Sequence, residues 1–415
     1  MKIFVQIASY RDPQLVPTIK NMLEMAKHPE NLILSIAKQS NPEDGFDDLS
    51  EYKNDPRFKI LNIDYKESKG VCWARHLTQQ QYNGEEYTLQ IDSHMRFEKN
   101  WDEELINMIK QLQNKGYKKP LLTGYVSSFD PDNDPDGRVK EPWRMVFDRF
   151  TPEGCVFFLP ETIPNWETLN EPINARFYSA HFCFTIGEFS KEVQHDPEYY
   201  FHGEEISIAV RAFTHGYDLF HPHKTLVWHE YTRKGRTKQW DDDKKWFLKN
   251  NDSHSKNRKL LGVDGEFMEH EETKYGFGKL RTKKDYEKYA GILFSNRSVQ
   301  KYTIDKNYPP NPYNFESEED WKNSFSRVFK HCIDIPFSSV VETDYDFWVV
   351  AFHDDKDKTI FRQDADIHEI LRIKNDPDDY CKIWREFNTL VKPSYWVVWP
   401  HSISKGWCDR LTGSL

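Results

Sequence analysis

The first 125 residues alternate strand-like and helix-like segments, and this alternation limits the possible folds more than any other feature of the sequence. The strand-like runs are "KIFVQIAS", "NLILSIAKQ", "FKILNIDY", "EYTLQID" and "PLLTGYV". Segments between them, such as "WDEELINMIKQLQNK", have the apolar spacing of a helix. Strands that alternate with helices predict βαβ units. The sequence therefore predicts an α/β fold with a mainly parallel sheet flanked by helices.

The composition and the predicted secondary structure of the chain change twice after this region. Residues 126–175 are rich in Pro, Asp and Asn and predict irregular loops with a short hairpin around "GCVFFLP". A highly charged, helix-like stretch then gives way to strand–turn–strand patterns such as "DFWVVAFHDDKDKTIFRQ" and "SYWVVWPH". We expect an α/β domain over residues 1–240, a helical extension packed on it over 241–330, and a small β-rich domain over 331–415.

Composition and charge exclude several classes of protein. The 415 residues are 38% hydrophobic and carry a net charge of −10, whereas a nucleic-acid-binding protein presents a basic face. No run approaches the roughly 18 apolar residues of a membrane span, and the start "MKIFVQIASYRDP" lacks the pattern of a secretory signal. The six cysteines form no CxxC pair, so they signal neither a zinc site nor a disulfide framework. We expect a cytoplasmic protein with reduced thiols, no nucleic-acid partner and no membrane span.

The stretch "YTLQIDSHMRF" places an acid and an imidazole where a buried strand reaches the surface. Asp92 and His94 could be a capping acid and a surface histidine. A second element repeats the pattern, however: "FHGEE", an apolar helix and a strand lead to "WHEY", where His229 ends a strand. Asp, His and His are suitable ligands for Mn²⁺ or another divalent cation. The competing histidines are His202, His215, His221 and His223.

Other polar residues are predicted at the same edge of the sheet. Ser9, Arg11 and Asp12 follow the first strand, and ligands of α/β sheets bind beyond the carboxyl ends of the strands. Glu204 and Glu205 follow a glycine at a helix N-terminus, where acids also favour the helix dipole without any further role.

Basic side chains near these positions suit phosphate oxygens. Arg75, in "GVCWARHL", can offer a fork of donors to phosphate, or it can form a salt bridge on a helix face. Tyr231, Arg233 and Arg236 follow His229 in a polar segment. This position is typical of a loop that closes over a bound nucleotide, and a solvated basic loop is the alternative.

Three blocks of the sequence resemble a known family. "IFVQIASYRDPQLVPTI", "KGVCWARHLTQQQYNGEEYTLQIDSHMRFEKNWD" and "YGFGKLRTKKDYEKYAG" are together similar to the GlcNAc-transferase family typified by the Skp1-modifying enzymes. The resemblance covers most of residues 1–300, and the block at 69–101 is its most specific part. A weaker likeness links the same motifs to the polypeptide N-acetylgalactosaminyltransferases. The resemblance implies a GT-A-like, Rossmann-type fold and a metal-dependent, retaining transferase that uses a UDP-sugar.

The resemblance also implies roles for individual residues. Asp92 and His94 match the Asp-x-His metal motif, and His229 matches the third ligand of a divalent cation, expected to be Mn²⁺. Glu204 and Glu205 match the acidic pair near the donor sugar and the acceptor.

Further residues are expected to bind the nucleotide-sugar. Arg75 matches the arginine that faces it and is assigned both a catalytic and a binding role, and Asp92 is counted with the binding residues. The remaining expected contacts are Ser9, Arg11, Asp12, Tyr231 and Arg233.

The function expected from these assignments is transfer of GlcNAc, or a related sugar, from a UDP-sugar to a hydroxyl of a protein or glycan acceptor, with retention. Two alternatives stay open at this point. The same site could serve a metal-dependent nucleotide-sugar hydrolase, or the fold could be a non-catalytic sugar- or partner-binding protein. Retention could also proceed through Glu204 or Glu205 as a nucleophile, or without one.

Overall fold

A computed structural model describes residues 1–233, 235–267, 274–375 and 380–415. These residues form two compact units: residues 1–297 with 302–314, and residues 298–301 with 315–415. The expected division at 1–240, 241–330 and 331–415 stays a prediction. Parts of its segments, namely residues 234, 268–273 and 376–379, lie outside the described residues.

The first unit contains the predicted alternation of strands and helices. Its strands are β1 (Ile3–Tyr10), β2 (Leu32–Ser40), β3 (Phe58–Asp64), β4 (Tyr87–Asp92), β5 (Met95–Phe97), β6 (Pro120–Thr123), β7 (Ser127–Ser128), β8 (Trp143–Phe150), β9 (Val156–Thr162), β10 (Ile173–Asn174), β11 (Phe182–Ile186), β12 (Asp218–His221), β13 (Val227–His229) and β14 (Ile292–Leu293). Its helices are α1 (Leu15–Met25), α2 (Val71–Gln79), α3 (Trp101–Asn114), α4 (Phe189–Glu192), α5 (Glu204–Thr214), α6 (Gln239–Asp242), α7 (Trp246–Leu261) and α8 (Lys283–Ala290). Short 3₁₀ turns cover Pro29–Asn31, Ser50–Tyr52, Tyr65–Glu67, Pro131–Asn133, Trp166–Thr168, Val263–Gly265 and Phe294–Asn296.

The described strands form a central eight-stranded sheet in the order β10-β12-β6-β11-β4-β1-β2-β3. β1 pairs in parallel with β2 and β4, and the pairs β2–β3 and β6–β12 are also parallel. β11 enters antiparallel between β4 and β6. The inner strands are buried along nearly their whole length because helices cover the sheet, which explains their continuous apolar sequences. The predicted α/β fold with a mainly parallel sheet is confirmed.

The core of the first unit lies between this sheet and helices α1 and α3. Val5, Leu34 and Leu89 are neighbours in register on three parallel strands, and each is fully buried or nearly so. Trp101, at the start of α3, is also buried and donates its indole N–H to the carbonyl of Met22. This packing places the carboxyl ends of β1 and β4 side by side.

A small sheet in the order β5-β13-β7 lies beyond that edge. β13 runs antiparallel to β5, with His229 opposite Met95, and parallel to β7. A hairpin of β8 and β9 occupies the region in which the sequence predicts loops and a short hairpin. The β5–β13 pairing places His229 opposite Met95, which directly follows His94 in the sequence.

The second unit is mostly strand. Its strands are β15 (Ser298–Gln300), β16 (Phe325–Pro336), β17 (Tyr345–His353), β18 (Thr359–Arg362), β19 (Ala365–Asp366), β20 (Tyr380–Thr389), β21 (Tyr395–Ser402), β22 (Gly406–Trp407) and β23 (Leu411–Ser414). Helices α10 (Glu318–Asn323) and α11 (Ile367–Lys374) and the turn Phe337–Ser339 complete it, while α9 (Lys301–Ile304) begins at its edge. β20 alternates exposed and buried residues, and its inward side chains pack with Trp348 and Phe352 of β17.

Candidate functional site

Three side chains predicted as metal ligands meet at the carboxyl edge of the central sheet. Nε2 of His94 lies 3.0 Å from Nε2 of His229, and Oδ2 of Asp92 lies 3.4 Å from the His229 nitrogen and 3.6 Å from the His94 nitrogen. Bonds of about 2.0–2.2 Å to one octahedral cation would place neighbouring ligand atoms roughly 3 Å apart. These three residues can therefore hold one divalent cation on one face and leave its other positions open.

The protonation states of this group also suit a cation. Burial lowers the pKa of His229 to about 4, so its imidazole is neutral at physiological pH and its nitrogen lone pair is available. Burial opposes ionisation of Asp92, but His229, Arg75 and His94 outweigh it and hold the pKa of Asp92 well below its usual range. The site thus offers one carboxylate and neutral imidazole nitrogen, ligand types that suit a divalent cation.

Asp12 lies directly behind His94. Its Oδ2 is 2.7 Å from Nδ1 of His94, accepts from the Ser93 hydroxyl at 2.6 Å and is 3.3 Å from Nη1 of Arg236. Burial raises the pKa of Asp12, but His94 and Arg236 outweigh it and lower the value to about 2. A carboxylate is a usual outer partner of a metal-bound histidine: it contacts one ring nitrogen and so orients the other nitrogen toward the metal. The structure places Asp12 in contact with His94, and its expected contact with the nucleotide stays a prediction.

Arg75 joins this cluster to the acidic pair. Its Nη2 is 2.8 Å from Oδ1 of Asp92, and its Nη1 is 3.4 Å from Oε1 of Glu204. Gly70, just before α2, lets the start of this helix approach Tyr200 closely: its φ is 121°, and a Cβ there would lie 2.5 Å from the Tyr200 carbonyl oxygen. The salt-bridge alternative for Arg75 is therefore observed, but with the metal-site carboxylate as one of its partners.

Glu204 and Glu205 begin α5 in different environments. Glu205 accepts from the backbone N–H of Ala180 at 2.9 Å and from the Tyr125 hydroxyl at 3.3 Å. Burial raises the pKa of both carboxyls, and Glu205 raises that of Glu204 further by charge repulsion. A carboxyl that holds its proton can donate a hydrogen bond to an oxygen of a bound ligand, which a solvated helix cap cannot do near neutral pH.

Tyr125 and His181 belong to the site although no sequence motif singles them out. The His181 ring lies 4.5 Å from that of His229 and stacks on Tyr125 at 5.1 Å. Nε2 of His181 accepts from the backbone N–H of Val126, and the Tyr231 hydroxyl donates to the carbonyl of Val126 at 2.7 Å. His181 just precedes β11, so the only available signal was another histidine at a strand end.

These residues line a cavity of about 500 Å³, which falls within the usual range for small-ligand sites. The predicted residues that line it are Asp12, Arg75, Asp92, His94, Glu204, Glu205, His229, Tyr231, Arg233 and Arg236. The aromatic residues Tyr10, Tyr125, Phe157, Tyr200, Phe201 and Trp240 complete much of the wall.

Two predicted residues lie elsewhere. Among the described residues, Ala8, Tyr10 and Asp12 line the cavity, whereas Ser9 and Arg11 do not. Alternate side chains of a strand point to opposite faces, which explains the separation of Ser9 from its neighbours. Arg11 instead pairs with Asp44 at 2.7 Å. The nucleotide-binding roles of Ser9 and Arg11 stay predictions.

The fold and the site together define an α/β protein with a candidate single-cation centre beside a polar and aromatic cavity. The chain belongs to the Glycosyltransferase (GlcNAc) family, whose family model matches residues 2–53 and 45–296. Both metal-site strands, the acidic pair and Arg75 lie inside the matched region. Among curated proteins, none matches this chain in sequence.

Solved structures similar to the chain include those of GalNAc-T7 and S. aureus TarS. GalNAc-T7 with UDP, GalNAc and Mn²⁺ has a TM-score of 0.48 and 14% identity, over 63% of this chain and 48% of that one. S. aureus TarS 1-349 with UDP-GlcNAc has a TM-score of 0.38 and 13% identity, over 59% and 61% of the two chains. The same TarS fragment with UDP has a TM-score of 0.37 and 13% identity, over 56% and 61%. The chain thus spans about half of the GalNAc-T7 chain.

Within the described residues, none of the helices is long and apolar enough to cross a bilayer.

Proposed function

We propose that this chain transfers GlcNAc from UDP-GlcNAc to a hydroxyl of a protein or glycan acceptor and requires a divalent cation, expected to be Mn²⁺. The convergence of Asp92, His94 and His229 within 3.0–3.6 Å of one another, inside the family-matched region, carries this proposal. The nearby guanidinium groups and the buried acidic pair provide the other polar contacts that a sugar diphosphate needs.

A cation bound at this centre would act as a Lewis acid and neutralise the charge that develops on the UDP leaving group. The chain itself supplies the ligands and their orientation. Asp12 holds the His94 ring, and Arg75 holds Asp92 from the opposite side through the 2.8 Å contact. Arg236 and Arg233 line the same cavity on the segment after His229 and can donate to phosphate oxygens.

Glu205 is best suited to position groups, since its two oxygens already accept from Ala180 and Tyr125. Glu204, with its raised pKa, can donate a hydrogen bond to a sugar oxygen. Neither carboxyl therefore resembles a free anionic nucleophile. We propose that the acceptor oxygen attacks the anomeric carbon on the face that the diphosphate leaves. The bond to the β-phosphate oxygen breaks, and the acceptor proton passes to that oxygen, so that configuration is retained.

The test is UDP release from the full chain with UDP-GlcNAc, UDP-GalNAc, UDP-glucose or UDP-galactose, with Mn²⁺ or with EDTA. We expect release from UDP-GlcNAc with Mn²⁺ only, and its loss in Asp92→Ala. Asp55→Ala is the matched control, because Asp55 is an acid paired with Arg57 and is not a cavity residue.

The fate of the sugar distinguishes the alternatives. Transfer of labelled GlcNAc to an added protein or glycan supports the proposal. Release of one free GlcNAc for each UDP, whichever acceptor is added, would favour the hydrolase. Absence of UDP release from all four donors, in folded protein that binds Mn²⁺, would contradict the enzyme and favour the binding protein. The cytoplasmic location stays a prediction.

A further inference from the structure

A second group of metal-ligating side chains lies outside the Asp92 centre. Cys155, His202 and His254 each offer a ligand atom, and these three atoms lie within 4.8 Å of one another. Cys155 directly precedes β9, His202 lies in the loop before α5, and His254 is on α7. We propose that these residues bind Zn²⁺ and that the ion fixes the loop in front of the acidic pair.

The ligand types select the metal. A thiolate with two imidazoles suits Zn²⁺, whereas the carboxylate-containing Asp92 centre suits a harder cation. Zinc bonds of about 2.0–2.3 Å place neighbouring ligand atoms of a tetrahedron roughly 3.3–3.8 Å apart. The three ligand atoms lie within 4.8 Å of one another, so they need to close by at most about 1–1.5 Å. Binding would release the Cys155 thiol proton to solvent. A water molecule can take the fourth position.

An unsatisfied ring nitrogen supports a ligand at this place. His254 is only 5% exposed, and within the described part of the chain its buried Nδ1 has no hydrogen-bond partner. Its other ring nitrogen, Nε2, lies 3.3 Å from the side-chain amide of Asn250. A metal-bound histidine typically engages a polar group through its second nitrogen. With Nδ1 on zinc, the Asn250 amide oxygen, which accepts from the backbone N–H of His202 at 3.4 Å, would turn to accept from Nε2–H.

The thiol is also held toward the group. Asn257, one turn after His254 on α7, places its Nδ2 3.5 Å from Sγ of Cys155, and Cys155 itself is fully buried. Gly203 packs on the same sulfur: its φ is 103°, and a Cβ there would lie 3.0 Å from Sγ. The sulfur therefore contacts both α7 and the loop that bears His202.

The location suggests what the ion would do. His202 is two residues before Glu204 and lines the 500 Å³ cavity together with Phe157 of β9. A zinc ion bridging His202, Cys155 and His254 would tie the α5 loop to β9 and α7, elements far apart in sequence. The ion would thus restrain the N-terminus of α5, where the acidic pair begins. This inference stands whether or not the chain transfers GlcNAc.

Co²⁺ substitution of the full chain tests the proposal, because only a thiolate ligand gives a sulfur-to-cobalt charge-transfer band in the near ultraviolet. We expect the band in the wild type and in Asp92→Ala, and its loss in Cys155→Ser. Cys183→Ser is the matched control, because Cys183 is a buried thiol of the same unit outside the group, and it should keep the band. Added Zn²⁺ should abolish the band and raise the melting temperature of Asp92→Ala.

Asn250→Ala provides a second variant that removes no ligand. We expect Co²⁺ affinity to fall by about 10–100-fold with the band still present at saturation. A wild type without the band would overturn the proposal, as would a band retained in Cys155→Ser or an Asn250→Ala affinity equal to the wild type. If Cys155→Ser does not fold, the wild-type spectrum and the Asn250→Ala titration still decide between the two results.

Discussion

Replacement of Asp12 by Asn isolates the contribution of the residue behind the metal centre. Asp12 is 1% exposed, and its carboxylate lies 2.7 Å from Nδ1 of His94. The change keeps the size and shape of the side chain but removes the charge that polarises the imidazole. Asp92, His94 and His229 remain as ligands, so the variant tests orientation and basicity of one ligand rather than loss of a ligand.

The expected magnitude follows from the position of Asp12. Loss of an outer partner of a metal-bound histidine typically weakens metal binding by about 10–100-fold, which corresponds to roughly 1.4–2.7 kcal/mol. The neutral amide oxygen accepts more weakly than a carboxylate, and Ser93, His94 and Arg236 all lie within 3.3 Å of the one carboxylate oxygen. We therefore expect the Mn²⁺ dissociation constant of Asp12→Asn to rise by about 100-fold, the upper end of that range.

Mn²⁺ binding is measured directly, by the electron paramagnetic resonance signal of free Mn²⁺ during titration of the full chain. Asp44→Asn is the matched control: Asp44 is also an ion-paired carboxylate, with Arg11 at 2.7 Å, but it is not a cavity residue. Wild-type affinity in Asp12→Asn, together with lost binding in Asp92→Asn, would refute an orienting role for Asp12. An equal loss in Asp44→Asn would refute the link to His94.

Three further predictions concern stability. Arg75→Met leaves Asp92 and Glu204 without their buried cation and should lower the free energy of unfolding in urea by about 3–5 kcal/mol; an unchanged midpoint would contradict this. Because burial raises the pKa of Glu204, its contribution to stability is complete below the ordinary value of 4.5 and is lost as pH rises through the folded-state pKa. Between pH 4.5 and about 8 the metal-free wild type should therefore lose up to about 1.4 kcal/mol per pH unit more than Glu204→Gln, and parallel profiles over that range would count against it. Trp348→Ala, at a fully buried position of the second unit, should cost about 3–5 kcal/mol in thermal or urea unfolding. The control Trp384→Ala, at a position 65% exposed, should change stability by less than about 0.5 kcal/mol, and equal effects would be inconsistent with the packing described.

The α/β fold was predictable because its signals are local. Each strand of the central sheet is a short apolar run, and each helix has its own apolar spacing, so neither requires knowledge of distant contacts. The pairing of Asp92 with His94 was predictable for the same reason, since residues two apart at a strand end are necessarily close. A glycine followed by two acids likewise marked the start of α5 at Glu204.

Other assignments needed more than local pattern. His229 was chosen among several histidines through family resemblance, and the β5–β13 register supplies the physical reason by placing it opposite Met95. Ser9 and Arg11 were chosen because they follow the predicted first strand. Strand alternation explains why Ser9 does not line the cavity, and the nucleotide-binding roles of both residues stay predictions.

The sequence by itself determined the order of strands and helices, the mainly parallel pairing of the sheet and the acid–imidazole pair at its edge. Short-range periodicity and chain adjacency encode all three. Only the tertiary structure decided which distant side chains meet: Asp12 behind His94, and Cys155 beside His202 and His254. The cysteine spacing signalled no zinc site, since the three residues come from separate elements. Such contacts depend on strand register and helix packing, which no local spacing records.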